Sequence, residues 1–355
     1  MSGRRVTLYG AAGHTGRFIA AELVRRGLEP VLAGRDLAKL SPVAARYGLR
    51  GRQVEAADSA GLDSLLDGTD ALINAAGPFG DTSPHLIEAA LRAGIPYLDV
   101  TAEPFVTRDI FESFTGAGSI VAPAFGFFGA LGDLLVTAAL GDWTGADSIE
   151  LAYALDRWRP TKGTRLAGER RAGRRLVRRN GGLEVREPTQ SLPKGSWQFD
   201  PPFGEQPTVG EFSTVDVITI SRHIEVDRIS TWINQTPLAD LASADSSGPE
   251  AVDESGRSAQ QFLVEAVVHR GSEQRRAIAS GQDIYAVTAP LVVEAVSRVI
   301  DGRAAASGAV AAGELFDARD FLSALSPEPL SVRFWPEVVE RKIQEATGPS
   351  LSHSR

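Results

Sequence analysis

Over the first 125 residues, short apolar runs alternate with stretches of helical periodicity. Val6–Tyr9, Pro30–Ala33, Gln53–Ala56, Ala71–Ala75, Tyr97–Val100 and Ile120–Ala122 read as six strands. Between them, the stretch 16–27 places apolar residues at 18, 19, 23 and 24 on one helical face. Residues 36–47 and a segment through Leu65 and Leu66 also read as helices, and 84–93 ends at Gly94, a helix-terminating residue. Strands that alternate with helices predict a parallel sheet with right-handed crossovers.

The pattern changes near residue 145. Ile149–Leu155, Val215–Ile224 and Ile229–Asn234 alternate as strands do, and 261–269 and 275–282 flank Gly-Ser-Glu-Gln as a hairpin. The very basic stretch 162–179 reads as a helix, 186–212 as a long loop rich in Pro and Gly, and 240–256 as an acidic, mobile loop. Two helices follow, a strongly apolar one over 284–300 and another over 315–325, and the final Gly-Pro-Ser-Leu-Ser-His-Ser-Arg reads as disordered. The expected fold class is α/β: a doubly wound parallel sheet of Rossmann type, with an inserted α+β domain for substrate binding and dimerisation. The expected boundaries are 1–125 for the nucleotide-binding domain, 126–282 for the insertion, 283–335 for helices returning to the first domain, and 336–355 for a tail.

Composition removes several classes of function. The chain has 355 residues, 43% hydrophobic and 23% charged, with a net charge of −8. An acidic balance argues against a general nucleic-acid binder, which needs a basic surface. The absence of cysteine excludes disulfides, thiolate metal sites and a cysteine nucleophile. No metal site is expected. The N-terminus has basic residues but no long apolar run behind them, so a cytoplasmic protein is expected. Residues 119–140 imitate a membrane span, but Pro123, glycines at 126, 129 and 132, and Asp133 favour a buried strand, a tight turn and a helix.

The chemistry concentrates at the ends of the early strands. Gly10, Gly13 and Gly16 sit between the first strand and the first helix. With Ala12, His14 and Thr15 they form a turn suited to a pyrophosphate, which needs glycine for close backbone approach and helix N–H groups for its charge. An NAD enzyme usually carries an acid at the end of the second strand. Here Gly34 takes that place, Arg35 follows and Lys39 lies one helical turn on, a set that fits the 2′-phosphate of NADP. Asp36 is the contrary sign, and it stands where it can N-cap the next helix. Asp58 is a candidate for the adenine amino group or an ordinary turn residue. Ala75, Ala76, Gly77, Pro78 and Phe79 form a small-residue turn expected beside the nicotinamide ribose. Gly126, Gly129 and Gly132 repeat the glycine spacing after the sixth strand, where helix packing is the expected role.

The motifs YGAAGHTGR, LAGRD, INAAGPF and AGIPYLDVTAE, continued by PAFGFFGALGDLL and DIYAVTAPLVVEAV, resemble the saccharopine dehydrogenase-like NAD(P)-binding oxidoreductase family. Ala102 stands where that family often has Gly, and the inserted part is shorter than in saccharopine reductase. The resemblance implies hydride transfer from NADPH to a C=N or C=O bond, an imine first, with an enoyl thioester as the alternative. A third reading, from a different class, is a non-catalytic NADP sensor. The short-chain reductase signature Tyr-x-x-x-Lys is absent. Glu103 and Asp99, at a strand end, and His223, on the polar face of an expected strand with Val217, Thr219 and Ser221, are therefore the candidate catalytic groups. Glu103 has a plainer alternative as a helix N-cap, and Asp133 is read as a helix-dipole cap. Tyr153, Lys162 and Tyr285 are candidate polar contacts. The arginines at 171, 174, 175 and 178 are either a solvated face or a grip for an anionic or carrier-bound small-molecule substrate. A homodimer is expected.

Overall fold

The computed structural model describes residues 3–243 and 247–335. In the first third of the chain, strands and helices alternate. They are β1 (Arg5–Tyr9), α1 (His14–Arg25), β2 (Glu29–Gly34), α2 (Leu37–Ala45), β3 (Arg52–Gln53), α3 (Ser59–Leu66), β4 (Ala71–Asn74), α4 (Phe79–Ala93), β5 (Tyr97–Asp99), α5 (Pro104–Ser113) and β6 (Ile120–Ala122). Gly94 ends α4 in the left-handed region, φ 69°, as its position implies.

The remainder runs α6 (Ala130–Leu140), β7 (Gly145–Leu155), α7 (Lys162–Arg171), β8 (Arg175–Arg179), β9 (Gly182–Arg186), β10 (Lys194–Gln198), β11 (Glu205–Gly210), α8 (Asp216–His223), β12 (Glu225–Asn234) and α9 (Gln235–Ala242). It closes with β13 (Gln261–Arg270), β14 (Glu273–Gln282), α10 (Thr288–Ile300), β15 (Gly308–Ala309), α11 (Ala312–Leu315), α12 (Ala318–Ala324) and β16 (Leu330–Trp335).

Two sheets result. The first has seven parallel strands in the order β3-β2-β1-β4-β5-β6-β15. Strand order reverses between β1 and β4, the switch point where a Rossmann sheet opens its ligand crevice. The second sheet has nine strands, β10-β11-β12-β7-β13-β14-β16 with the β8–β9 hairpin attached to β12. Only its β12–β7 pair is parallel. One hydrophobic core runs through both sheets, with α6 inside it. Ten of the eleven residues of α6 are buried, because apolar side chains cover the helix all round. This accounts for the membrane-like stretch: β6, a turn and α6 are core, and no helix among the described residues is long and apolar enough to cross a membrane.

Four expectations about local structure fail. The segment 215–224 is the helix α8, not a strand. The basic stretch 162–179 is a helix only to Arg171; Ala172 and Gly173 take positive φ of 52° and 72° and turn the chain into β8. The expected loop 186–212 contains β10 and β11, and 315–325 breaks into α11 and α12 at Phe316. The expected loop over 240–256 begins inside α9, and the tail lies outside the described residues.

Candidate active site between the two sheets

The turn after β1 is built by close backbone approach. Gly10 has φ 89°, and a Cβ there would lie 2.7 Å from both Ala75 C and Ala76 N in the turn after β4. A Cβ on Gly16 would collide with the Gly10 carbonyl, so this glycine lets α1 rest on the turn. Gly13 occupies the N-cap of α1, and no side chain caps the helix. The first-turn amides therefore have no intrahelical acceptor, and the positive end of the helix faces open space. His14 Nε2 is buried without a hydrogen-bond partner among the described residues, and burial lowers its pKa, keeping the ring neutral. The ring stands edge-on to Phe18 and to Tyr285, each at 5.3 Å.

A cleft of about 1120 Å³ opens from this turn. Its first wall holds Gly10, Ala12, Gly13, His14, Thr15, Gly34, Arg35, Lys39 and the turn from Ala75 to Phe79. Thus most of the residues proposed for the cofactor come together on one surface; Gly16 and Asp58 do not line it. Asp58 instead N-caps α3, accepting from Gly61 N at 3.0 Å, and Glu55–Ala57 line the cleft beside it. Asp36 N-caps α2 through Lys39 N at 3.1 Å and also holds Lys39 Nζ at 2.9 Å. Arg35 is exposed on the cleft and forms no salt bridge among the described residues. The turn at 75–79 is fixed by Asn74, whose Oδ1 accepts from Ala76 N at 2.9 Å and whose Nδ2 donates to Thr82 and Tyr97.

The three candidate catalytic groups separate. Glu103 lines the cleft. It sits at the N-cap of α5 but makes no side-chain cap there; its carboxylate accepts from Phe79 N at 2.9 Å, and burial raises its pKa. Asp99 is fully buried behind the wall. It accepts from the amides of Thr101 (3.0 Å) and Ala124 (2.9 Å) and from the hydroxyls of Tyr97 (2.8 Å) and Ser83 (3.3 Å). Burial raises its pKa to about 6, with those donors pulling the other way. His223 is away from the cleft in the last turn of α8. Its Nε2 lies 2.6 Å from Asp133 Oδ1, and Asp133 Oδ2 accepts from Gly313 N at 3.0 Å. Asp133 stands in the first turn of α6, where its charge suits the helix dipole, and it also ties α6 to α8 and to a first-turn amide of α11.

The opposite wall comes from the second half of the chain: Phe127, Phe128, Trp158, Phe212, Thr214, Tyr285 and the arginines of and beyond α7. Tyr285 Oη accepts from Trp158 Nε1 (3.0 Å) and Thr161 N (3.2 Å) and pairs with Thr164 Oγ1 (3.0 Å), so it fixes the start of α7. Arg170 reaches across to Asp81 at 2.8 Å, and Arg174 stacks on Phe105 at 4.8 Å. Arg171 donates to the Ser213 carbonyl at 2.9 Å, while its Nε is buried without a partner. Burial and the Arg175 charge lower its pKa, and it forms no salt bridge among the described residues. Arg175 and Arg179 leave the cleft and pair with Glu211; Arg178 donates to Val226 O. The aromatic contribution escaped sequence reasoning, although Phe127-Phe128 between two glycines was a visible signal.

Residues 6–115 match the family described as saccharopine dehydrogenase NADP binding domain. A curated relative from Caenorhabditis elegans, named lipid droplet localized protein, is 30% identical over 117 residues, 29% of this chain and 28% of that protein. The human saccharopine dehydrogenase-like oxidoreductase is 26% identical over 118 residues, 28% of each. The matched stretch thus spans 28% of the length of these relatives. Among solved structures, apo histidine-tagged saccharopine dehydrogenase (L-Glu forming) from Saccharomyces cerevisiae is similar with a TM-score of 0.62 at 12% identity, covering 94% of this chain and 100% of that one. The fold is that of saccharopine dehydrogenase, a Rossmann-like sheet with a second sheet. The family match rests on residues 6–115, and the likeness of the whole chain to saccharopine dehydrogenase is one of fold.

The buried Asp99 sets a pH dependence. Its folded pKa is raised, so its contribution to stability is full below the unfolded value of about 3.9 and is lost as pH rises through about 6. Asp99→Asn keeps an acceptor for the two amides and turns an NH2 toward hydroxyls that can accept. Between about pH 4 and 7 the wild-type melting temperature should fall relative to D99N, by an amount worth at most about 3 kcal/mol. Parallel curves for the two proteins would show that Asp99 does not titrate in this range.

Proposed function

We propose that the chain is an NADPH-dependent oxidoreductase that reduces a C=N or C=O bond of a small anionic metabolite. The observation that carries this reading is the single cleft that joins an uncapped glycine turn, on one sheet, to unpaired arginine on the other. The residues fit a dinucleotide: the first-turn amides of α1 suit the pyrophosphate, the backbone at 75–79 leaves room for the ribose, and Arg35, with no carboxylate bound to it, suits a 2′-phosphate. When bound, the reduced nicotinamide supplies the hydride.

The chain's own groups then bind and orient. Arg171 is a part-buried guanidinium whose buried Nε has no partner among the described residues, which favours an anionic group of the substrate. Glu103, held against Phe79 N, orients the acceptor. Phe127, Phe128, Trp158 and Phe212 pack ring to ring at 4.9–6.4 Å and exclude water from the same space. This apolar wall also favours a second reading, reduction of an enoyl thioester. The homodimer has support of a simpler kind: β9 pairs only with β8, and Leu183 and Val185 on it are exposed.

Four outcomes follow from this reading. NADPH oxidation against a cyclic imine, an α-keto acid with an amine, a ketone and an enoyl thioester should show turnover on one class. Silence across the panel in folded protein that binds NADPH would leave a sensor. Arg35→Ala should weaken NADPH about tenfold or more and leave NADH unchanged, read by quenching of protein fluorescence. On the reduced class, Arg171→Ala should raise KM about tenfold or more, and an unchanged KM removes the anionic substrate. For the assembly, light scattering should give twice the chain mass, and a monomer mass rejects the dimer.

A further inference from the structure

Behind the cleft lies a polar group that none of the assignments above uses. Tyr153 on β7, Thr214 before α8 and Asp216 in the first turn of α8 are all buried. Tyr153 Oη, Thr214 Oγ1 and Asp216 Oδ2 are close enough to act electrostatically on one another, yet none is in formal hydrogen-bond geometry with any described group. Asp216 Oδ1 is held separately by Gly129 N at 2.9 Å. Polar groups shut together in an apolar place are costly unless they answer one another, and here the two hydroxyls act on the Asp216 carboxylate. The local sequence makes room for them: a Cβ on Gly132 of α6 would collide with Asp216 Oδ1 and come within 2.9 Å of the Tyr153 hydroxyl. Thr214 is the one member that lines the cleft, next to Phe128 and Phe212.

We propose that Asp216 is the proton source for the cleft, delivering its proton through the Thr214 hydroxyl while Tyr153 steadies the carboxylate left behind. This assignment rests on the reductase reading and names the acid that reading lacks. The proton leaves Asp216 Oδ2 for Thr214 Oγ1, and the Thr214 hydroxyl gives its own proton to the heteroatom of the substrate double bond. That atom takes up the electron pair displaced when hydride, from the reduced nicotinamide dinucleotide, adds to the carbon. Thr214 ends unchanged, Asp216 ends ionised, and water reprotonates it between turnovers. Thr214 is the group that touches substrate; Asp216 and Tyr153 act through it.

The environment suits the task. Burial raises the Asp216 pKa to about 6, so the acid carries a proton into the neutral range. Tyr153 is pushed well above 10 by burial and by Asp216, and so remains a donor. Charges on the elements packed against α8 have partners of their own. Asp133 of α6 pairs with His223 of α8 itself, Arg175 and Arg179 of β8 with Glu211, and Arg108 of α5 with Asp109. Glu314 of α11 pairs with Ala311 N, near Arg222, and the charged residues of β12 are exposed.

The first test uses ligand-free protein. Infrared difference spectra between about pH 5 and 7.5 should show a carboxylic-acid carbonyl band lost with a midpoint near 6. With Asp99→Asn as the background, which removes the other carboxyl that titrates in this range, Asp216→Asn should delete that band. Thr214→Val should keep it and raise its midpoint, because the Thr214 hydroxyl favours the ionised form, and Thr214→Ser should restore the wild-type midpoint. The second test uses the acceptor class found with NADPH. D216N and T214V should lower kcat about a hundredfold or more with KM little changed, T214S should recover most of it, and the alkaline limb of the kcat profile near pH 6 should vanish in D216N. T214V supplies the answer if D216N fails to fold. No band assignable to Asp216, or a T214V enzyme with wild-type kcat and pH profile, overturns the relay alone. Normal titration of Asp216 with no acceptor reduced overturns the reductase reading, and the relay falls with it.

Discussion

The cleft exists because one phenol is held by both halves of the chain. Tyr285 sits just before α10, which packs on α1, and its ring meets the edge of His14 at the glycine turn. Its hydroxyl gathers Trp158, Thr161 and Thr164 at the start of α7. The loop that carries it is pinned in turn by Asp283, whose carboxylate accepts from Tyr285 N and Ala286 N on one oxygen and from Ser258 N on the other. A helix with no buried residue, as α7 is, has little packing of its own to fix it. It stands over the cleft because Tyr285 anchors its first turn and Arg170 and Arg171 bind Asp81 and Ser213 at its last.

The first sheet was legible because several signals agree there. Strand runs, glycine turns and caps at Asp36 and Gly94 all point to the same alternation, and the expected strands fall on β1 to β6 within a few residues. The second half was harder because its signals conflict. Val217, Ile218 and Ile220 with Thr219 and Ser221 are β-branched or small and alternate locally, which reads as a strand. The buried set in α8 is Asp216 to Ile220, a helical cluster packed against α5, α6 and β8. An acid in its first turn and Arg222 and His223 in its last complement a helix dipole, and that was the signal available. In β10 and β11, packing decides against composition. Trp197 and Phe199 lie over the far face of the second sheet, and Trp197 Nε1 donates to the buried Glu265 at 3.0 Å. No local rule reads a Pro- and Gly-rich strand whose partners lie far along the chain.

Candidate chemistry was legible to the same degree as the fold around it. The wall beside the turn after β1 could be named residue by residue. The opposite wall could not, because it is assembled from separate segments of the second half. His223 drew notice as a lone histidine on a polar face; its polarity is consumed by Asp133. Asp216, two turns earlier in the same helix, looked like an ordinary acid in an apolar run. What distinguishes the two is the partner. His223 and Asp133 satisfy each other and Gly313 N, whereas Asp216 keeps one oxygen uncommitted beside Thr214 and Tyr153.

The same contrast governs the cations. The chain is acidic overall, with 37 Lys and Arg against 45 Asp and Glu, so an arginine has acids to choose from. Arg26 and Arg298 share Glu294, Arg276 and Arg333 share Asp200, and Arg175 and Arg179 share Glu211. Arg35 and Arg171 have no such acid among the described residues, and both face the cleft, one on each wall. Leaving a buried guanidinium without a counter-charge is expensive unless something supplies one. On the proposed reading, a dinucleotide phosphate answers the exposed Arg35 and an anionic group of the substrate answers Arg171. The positions of these two cations are therefore a more informative guide to the ligands than the net charge of the chain.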